Sequence, residues 1–330
     1  MTYRLFGSEL SPYSVKVRSY FRYKALPHEW IVRSAATQAE YQKYAKLPIV
    51  PLVVTPEGEG IQDSTPILER FEAAHPEPSI HPSDRVAAFV SALLEEFGDE
   101  WGNKWMFHYR WARDVDQISS AGRIAGAMMP AASDEQHAGM TAQIRERMVN
   151  RVWFVGSSAQ TAPQIEASFR EAIGQLDAHL ATRPYLFGAR PAFGDFGLFA
   201  QLYEAWTDPT PAALIEGRAP RVLDWLHRML WPRAEGAFEP WSALEPTLLP
   251  FLERQVGQLF LPWSVANAAA IEAGSEEFSV ELAGSTWTQK PQKYHAKSLQ
   301  ALRAKYAATG SDGALDALLE RSGCLAALRG

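Results

Sequence analysis

The clearest fold signal in the sequence is residues 3–18, which read YRLFGSELSPYSVKVR. Residues 3–6 are a short run of the side chains that strands favour. Ser11 followed by Pro12 is typical of a helix start, with serine at the N-cap and proline in the first turn. Apolar side chains at helical spacing continue until Pro27 ends the pattern. The sequence therefore predicts a strand, a turn and a helix with Ser11 at its N-terminus.

The residues that follow, up to Pro76, have the pattern of a small α/β unit. The further predicted elements are a strand at 30–32, a hairpin of strands at 49–54 and 61–62, and a helix that begins at Ser64 and ends before Pro76. The predicted element order is therefore β, α, β, β, β, α.

Three prolines within residues 75–82 indicate a linker. From Asp84 to about Leu230 the apolar residues keep helical spacing, which predicts an all-α part. The last hundred residues look less regular, with a hairpin near 278–284, a helix at 294–307 and a weaker helix from Gly313. The predicted domains are an α/β domain at 1–76, an all-helical domain at 84–236, and a C-terminal extension at 237–330 that packs on the helical domain.

Composition restricts the class of protein. A chain of 330 residues with 47% hydrophobic residues is long enough for two domains with a large core. The formal charge of -6, with both signs mixed along the chain, argues against a nucleic-acid partner. The N-terminus lacks a secretory pattern and no stretch approaches a membrane span, so we expect an unexported, cytoplasmic protein without a membrane partner. A single cysteine, Cys324, excludes an intrachain disulfide.

Several motifs occur in a fixed order along the chain. They are Ser11-Pro12-Tyr13-Ser14-Val15-Lys16-Val17-Arg18, then Val50-Pro51-Leu52, then Gln62-Asp63-Ser64, and later Tyr185-Leu186-Phe187-Gly188 with Pro191 and Gly194-Asp195-Phe196. Together they resemble the glutathione S-transferase superfamily over residues 1 to about 232. The resemblance implies a thioredoxin-like N-terminal domain, an all-α C-terminal domain, glutathione as co-substrate, a small hydrophobic electrophile as the second substrate, and a homodimer.

The chemistry at the first helix depends on a thiol that the chain does not supply. Ser11 and Ser14 stand where a thioredoxin-like redox protein keeps its cysteines, so disulfide exchange is excluded. A helix N-terminus favours a bound thiolate, because its N–H groups are unpaired and its dipole end is positive. Such positions lower a thiol pKa from about 8.5 into a range of about 3.5 to 7.5. A shift of about two units corresponds to ~2.7 kcal/mol of preference for the thiolate.

By its resemblance to serine-type transferases, Ser11 is expected to donate its hydroxyl to that thiolate. The alternative is an ordinary N-cap, which accepts from a backbone N–H instead of donating to sulfur. The alternative hydroxyl donors are Tyr3, Ser8, Tyr13 and Ser14. A tyrosine at the end of the first strand is not expected, because Phe6 and Gly7 occupy that place.

The resemblance also implies how the rest of glutathione is held. Val50 and Pro51 match a cis-proline pair whose first residue pairs its backbone with the cysteinyl part; the alternative is a proline at a bulge or edge strand. Asp63 and Ser64 match an acid–serine pair that holds the γ-glutamyl end, and helix capping is the alternative.

Two positions depart from the family pattern. Ile49 stands where many relatives have a polar or basic residue for the glycyl carboxylate, so Lys46 or a residue of the helical domain is the expected substitute. Ala192 stands where a Ser or Thr usually forms half of a reciprocal cap with Asp195, which leaves Asp195 a structural role.

Residues 101–111 concentrate aromatic side chains on a helix that, by the resemblance, would line a cleft facing Ser11. Trp101, Trp105 and Tyr109 share one helix face, with His108 as the alternative to the last. With Tyr13, these residues are the expected hydrophobic substrate site, and core packing is the alternative. No His, Cys or acid stands at metal-ligand spacing from His108, so no metal is expected.

Three functions follow as hypotheses. The first is a glutathione transferase that activates the glutathione thiolate for attack on a hydrophobic electrophile. The second is a module with the same fold that binds glutathione without turnover. The third is an interaction protein whose Ser11 and Ser64 bind no tripeptide.

Overall fold

The N-terminal part of the computed structural model, which describes residues 2–310 and 312–330, is a four-stranded sheet with helices packed on it. Its elements are β1 (Tyr3–Gly7), α1 (Pro12–Tyr23), β2 (His28–Val32), α2 (Gln38–Tyr44), β3 (Leu52–Val54), β4 (Gly60–Gln62) and α3 (Ser64–Ala74). The strand order is β2-β1-β3-β4, with β1 and β2 parallel and the other neighbours antiparallel. The predicted thioredoxin-like α/β class is therefore confirmed.

The predicted element order was wrong at one place, because it omitted α2. This helix has seven residues, of which only Tyr41 is buried, so the sequence shows almost no helical periodicity there. Tyr41 packs edge-on against Phe6 with ring centroids 6.0 Å apart, in a small second core on the outer face of the sheet. The third strand begins at Leu52 and not at Ile49, since it follows Pro51, which cannot donate to a strand ladder.

The middle of the chain is all-helical, as predicted. Its helices are α4 (Arg85–Phe97), α5 (Asn103–Ala112), α6 (Asp114–Met128), α7 (Asp134–Val149), α8 (Ala162–His179), α9 (Phe193–Trp206), α10 (Pro209–Arg218) and α11 (Pro220–Leu230), with a π-helical turn at Gly98–Gly102 and a 3₁₀ turn at Val152–Val155. Helix α9 is buried along nearly its whole length and forms the centre of the core. A Cβ on Gly98 would lie 2.6 Å from the backbone of Gly197, so the two backbones meet where only glycine fits.

The C-terminal extension is more regular than predicted. Its elements are α12 (Trp241–Phe251), a π-helical segment (Leu252–Phe260), α13 (Leu261–Glu272), β5 (Phe278–Leu282), β6 (Ser285–Gln289), α14 (Lys293–Ala308), α15 (Gly313–Arg321) and α16 (Leu325–Arg329). The predicted β5–β6 hairpin and the helix now called α14 are confirmed. Helices α12 and α13 were missed because Pro246 and Pro250 lie inside the first, and proline normally ends a helical pattern.

The extension packs on the helical part through a cage of tryptophans. Trp263 and Trp287 pack on Trp101, with ring centroids 6.1 and 5.5 Å from it. These three rings surround the buried Lys104, whose Nζ lies 3.6 Å from the Trp263 centroid. Contacts to the N-terminal part also occur, for example the ion pair of Lys305 with Glu69 at 3.0 Å. The extension therefore joins both preceding parts of the chain, whereas the sequence predicted contact with the helical part.

Within residues 2–310 and 312–330, no helix combines the length and the apolar character needed to cross a membrane.

Candidate functional site

The strand register brings three of the predicted motifs to one edge of the sheet. Phe6 at the end of β1 pairs with Leu52 at the start of β3, and Leu52 pairs with Gln62 at the end of β4. The segment after β1, the segment before β3 and the segment after β4 therefore emerge together. Those segments carry Ser11, Val50 with Pro51, and Asp63 with Ser64 respectively.

Ser11 is the N-cap of α1, and it is partly exposed. Its Oγ accepts from the backbone N–H of Ser14 at 3.3 Å, a long bond. A hydroxyl accepts and donates at the same time, and among the described residues the Ser11 O–H has no acceptor. The cap and a donor role toward a ligand are therefore compatible at this residue.

The other candidate hydroxyls are placed differently. Ser14 is fully buried and its Oγ has no hydrogen-bond partner among the described residues. Tyr13 donates to the backbone oxygen of Asp99 at 3.2 Å, and burial, followed by the charge of Asp99, raises its pKa to about 12. Tyr3 begins β1 and packs edge-on against Phe21, away from the helix end. Ser8 accepts from a backbone N–H in the loop, so Ser8 and Ser11 are the partly exposed serines beside α1.

Two side chains hold the loop that precedes β3. Gln62 accepts from the backbone N–H groups of Lys46 and Leu47 and donates to the carbonyls of Leu47 and Ile49. Tyr41 donates to the same two carbonyls, at 2.8 and 2.5 Å. The missed helix α2 therefore supports the site, because it supplies Tyr41.

Val50 follows this loop, and its peptide bond to Pro51 is cis. In the described parts of the chain, no hydrogen bond uses the backbone N–H or C=O of Val50. Both groups are free to pair with an extended peptide. Lys46, the predicted partner of the glycyl carboxylate, is exposed and its contact to the site runs through its backbone.

Asp63 and Ser64 lie at the start of α3. Asp63 has a φ of 77°, which is unusual for a residue with a side chain, and its carboxylate does not cap the helix. Ser64 is buried, and its Oγ accepts from Lys16 Nζ at 3.5 Å. The Asp63 carboxylate accepts from Tyr294 of the extension, with 2.6 Å between the phenol oxygen and Oδ2.

A buried charge cluster beneath these residues was missed by the sequence analysis. Lys16 is fully buried; it pairs with Asp99 at 2.7 Å, contacts Glu95, and donates to Thr65 Oγ1 at 3.1 Å. Burial lowers the pKa of Lys16, but Asp99 and Glu95 outweigh burial and raise it. Burial raises the pKa of Asp99 to about 7, against the opposing charge of Lys16. The cluster ties α1, α3 and α4 together directly below the site.

A sequence signal for this cluster did exist. Lys16 lies between the buried Val15 and Val17 within the first helix, and Glu95 and Asp99 are four residues apart, with large apolar side chains at Leu93, Leu94 and Phe97 around them. Charges on apolar faces of two helices indicate a buried pair, since charged residues are almost never fully buried unless paired.

The predicted aromatic stripe lies in the core. Trp101 and Trp105 are 1% exposed, and their indole N–H groups donate to Ser168 Oγ at 3.1 and 2.9 Å. Tyr109 and His108 are also buried, with His108 bonded to Ser157 and Glu166, and burial lowers the pKa of His108. The core alternative describes the position of all four side chains.

Two further features lie apart from the site. Asp195 is buried and accepts from the backbone of Leu186 and Ala192 and from Trp225, which fits its expected structural role; burial raises its pKa to about 7.

An open cleft of about 750 Å³ lies between α3, α4 and α14. Among the residues that the structure describes, no group of three or more His, Cys, Asp or Glu is arranged to hold a metal.

The chain matches two protein-family models. Residues 5–79 match the family described as glutathione S-transferase, N-terminal domain, and residues 143–228 match glutathione S-transferase, C-terminal domain. No curated protein matches the chain.

Solved structures with a similar arrangement include a glutathione S-transferase from Methylobacterium radiotolerans in complex with glutathione sulfonate. It is 22% identical, with a TM-score of 0.42, over 72% of this chain and 99% of that chain. The β-etherase LigF from Sphingobium is 19% identical, with a TM-score of 0.46, over 69% of this chain and 95% of that chain. These values are too low to transfer a ligand or an activity, so the two family models carry the comparison.

Proposed function

The chain belongs to the glutathione S-transferase superfamily, and from that premise we propose that it is a glutathione transferase. In this proposal it binds glutathione at the sheet edge beside Ser11 and activates the thiolate for attack on a small hydrophobic electrophile. Glutathione is the co-substrate and no metal takes part. By the resemblance, we also propose that the protein acts as a homodimer in the cytoplasm.

The observation that carries the proposal is the convergence of three ligand-binding elements at one sheet edge. The N-terminus of α1 offers the positive end of the helix dipole and the O–H of Ser11, which has no acceptor among the described residues. Val50 offers a free backbone N–H and C=O in the extended direction of a strand. The start of α3 offers the N–H of Ser64 beside the carboxylate of Asp63, which does not cap the helix.

Each element suits one part of the tripeptide. Ser11 donates its O–H to the cysteinyl sulfur, and the helix dipole stabilises the same negative charge. Val50 pairs with the cysteinyl backbone, next to Pro51. Ser64 binds the γ-glutamyl carboxylate and Asp63 its ammonium, while Lys46 binds the glycyl carboxylate. The thiolate then attacks the electrophilic carbon, and the leaving group or the adjacent atom takes the electron pair.

The test is calorimetric titration of glutathione into the wild type and Ser11→Ala, with the absorbance of the bound thiolate followed against pH. We expect the wild type to lower the thiol pKa by about two units, and Ser11→Ala to remove most of that shift, since it loses the hydroxyl donor. Ser8→Ala is the matched control, because it removes a neighbouring partly exposed hydroxyl that caps a different backbone N–H.

Two further variants separate capping from activation. Ser11→Thr keeps an N-cap oxygen and a hydroxyl donor, so it should restore the low thiol pKa. Ser11→Asp keeps the cap but brings a negative charge and no donor, so it should keep the stability and lose the pKa shift. If the wild type binds no glutathione, the transferase proposal is rejected in favour of an interaction protein.

A glutathione-binding module without turnover is the second candidate, and one observation favours it. Trp101, Trp105 and Tyr109 are packed in the core and not exposed to a cleft, so the expected wall for a hydrophobic substrate is covered. A panel of electrophiles assayed with glutathione separates the two candidates. Tight glutathione binding with a depressed thiol pKa and no rate above the uncatalysed reaction would establish the module.

A further inference from the structure

The extension places one tyrosine directly on the acid of the candidate site. Tyr294, near the start of α14, donates to Asp63 Oδ2 at 2.6 Å, across a sequence separation of 231 residues. In the described parts of the chain it is the one side chain that donates to the Asp63 carboxylate. Asp63 lies within the residues that the family models match, whereas Tyr294 lies outside them.

Neighbouring buried contacts set the position of Tyr294. Two residues before it, Gln292 exchanges two hydrogen bonds with the buried Asn267, at 2.7 and 3.0 Å. One residue after it, His295 packs edge-on against Trp263 and contacts Glu100. Four residues after it, Ser298 donates to the buried Glu96. The tyrosine itself is 58% exposed, so its neighbours and not its own packing hold it over Asp63.

Asp63 is shaped for a ligand and not for its own helix. Its side chain leaves the N-terminus of α3 uncapped, although aspartate is a favoured N-cap residue. Its positive φ is a conformation that costs of order 1–3 kcal/mol for a residue with a side chain and is found mostly at functional sites. The backbone is therefore held in a costly geometry at a residue whose carboxylate bonds to Tyr294 and not to its own helix.

We propose that Tyr294 of the extension is a further ligand-binding residue, which completes the ammonium subsite that the proposed function assigns to Asp63 for the γ-glutamyl amine of glutathione. A carboxylate has about four acceptor positions, and the phenol hydrogen uses one of them. The phenol oxygen keeps its own lone pairs, so an ammonium with three N–H donors binds both oxygens at once. The inference rests on the proposed function and assigns the C-terminal extension a direct part in ligand recognition.

The phenol is suited to this role because it stays protonated. An ordinary tyrosine pKa of about 10 already keeps the phenol protonated in the neutral range. Partial desolvation, followed by the hydrogen bond to Asp63, raises the pKa of Tyr294 further. A donor fixed on Oδ2 leaves Oδ1 to the ligand. The arrangement is therefore a positioning device for the carboxylate as well as a direct contact.

The experiment compares two variants of one helix. Tyr294→Phe removes the phenol oxygen over Asp63. Tyr306→Phe is the matched control, since Tyr306 on the same helix α14 also donates to an aspartate, Asp316, at 2.6 Å. The two tyrosines are twelve residues apart, or about 18 Å along the helix. Each variant of the full chain is titrated calorimetrically with glutathione and with the analogue that lacks the γ-glutamyl amino group.

We expect Tyr294→Phe to raise the Kd for glutathione about five- to tenfold, as the loss of one ordinary hydrogen bond at a partly exposed position would. The Kd for the analogue should change less than twofold, and Tyr306→Phe should change neither. In an Asp63→Asn background, Tyr294→Phe should have little further effect, because the two residues act as one subsite.

The outcomes separate this inference from the proposed function. If the wild type binds glutathione and Tyr294→Phe binds it equally well, the inference is overturned and the function stands. If Tyr294→Phe binds more tightly, the phenol competes for Asp63 and the inference is also overturned. If calorimetry detects no binding of glutathione to the wild type at concentrations up to about 100 μM, which is 100 times a Kd of about 1 μM, the proposed function itself fails.

Discussion

Two regions of this molecule bury a lysine completely, and they treat it in opposite ways. Below the candidate site, Lys16 has Asp99, Glu95 and Thr65 as partners, and the two carboxylates raise its pKa. Under the extension, Lys104 has three tryptophan rings and one backbone carbonyl at 3.3 Å, and burial lowers its pKa well below the usual value. The comparison teaches that burial alone does not decide whether a lysine is charged; its partners do.

The largest expected effect comes from breaking the paired lysine. Lys16→Met leaves Asp99 and Glu95 buried without a cation, which should lower the free energy of unfolding by about 3–5 kcal/mol. Urea unfolding measures this change. Arg70→Met removes the cation of an exposed pair with Glu59 and should leave the unfolding free energy nearly unchanged. A loss under 1 kcal/mol for Lys16→Met would show that the cluster relaxes around a neutral side chain.

The unpaired lysine should behave in the opposite sense. Lys104→Met removes a buried amine without leaving any carboxylate behind, so we expect the protein to gain about 1–2 kcal/mol at pH 7. Because the folded-state pKa of Lys104 is depressed, the unfolded chain binds more protons below the unfolded pKa of 10.5, and stability rises as pH rises toward that value.

The two lysines also differ in how their contributions to stability depend on pH. The stability advantage of Lys104→Met at pH 7 should shrink by about 1.4 kcal/mol for each pH unit gained, so an advantage of about 1–2 kcal/mol disappears between about pH 7.7 and 8.4. Lys16 has a raised pKa, so its contribution is present below 10.5 and is lost only at higher pH. Parallel stability curves for the wild type and Lys104→Met between pH 7 and 10 would mean that Lys104 is charged in the fold.

The smallest effect concerns the neutral partner of Lys16. Thr65 Oγ1 accepts from Lys16 and donates to Glu95 at 2.6 Å, so Thr65→Val should lower the unfolding free energy by about 1–2 kcal/mol. Thermal unfolding is sufficient to detect it. Thr288→Val on strand β6 is the control, since among the described residues its hydroxyl bonds only to the exposed Ser279. Equal losses of thermal stability in the two variants would show that Thr65 does not stabilise the cluster.

The first domain was largely predictable, because its signals are local. Ser11 with Pro12 marks a helix start, and Pro76 marks a helix end, without any knowledge of tertiary contacts. Helix α2 was missed because its single buried residue, Tyr41, leaves no periodic pattern. Its role in holding the loop before Val50 was missed with it.

The remainder of the site depends on contacts between distant segments. The tyrosine over Asp63 belongs to a helix that was predicted, but no local pattern relates Tyr294 to a residue 231 positions earlier. The position of the aromatic stripe could not be predicted from local sequence either, because its spacing fits both a cleft wall and a core. Whether Trp101 faces solvent was decided by Trp263 and Trp287, which come from the extension.

The separation between Asp63 and Tyr294 also sets an order in time. A ribosome adds roughly 5–20 residues per second, so the sequence separation of 231 positions takes roughly ten to fifty seconds to synthesise. During that interval the N-terminal sheet can form while its acidic residue is still uncovered. The ammonium subsite is therefore completed only after the segment that carries Tyr294 has been synthesised and has left the ribosome.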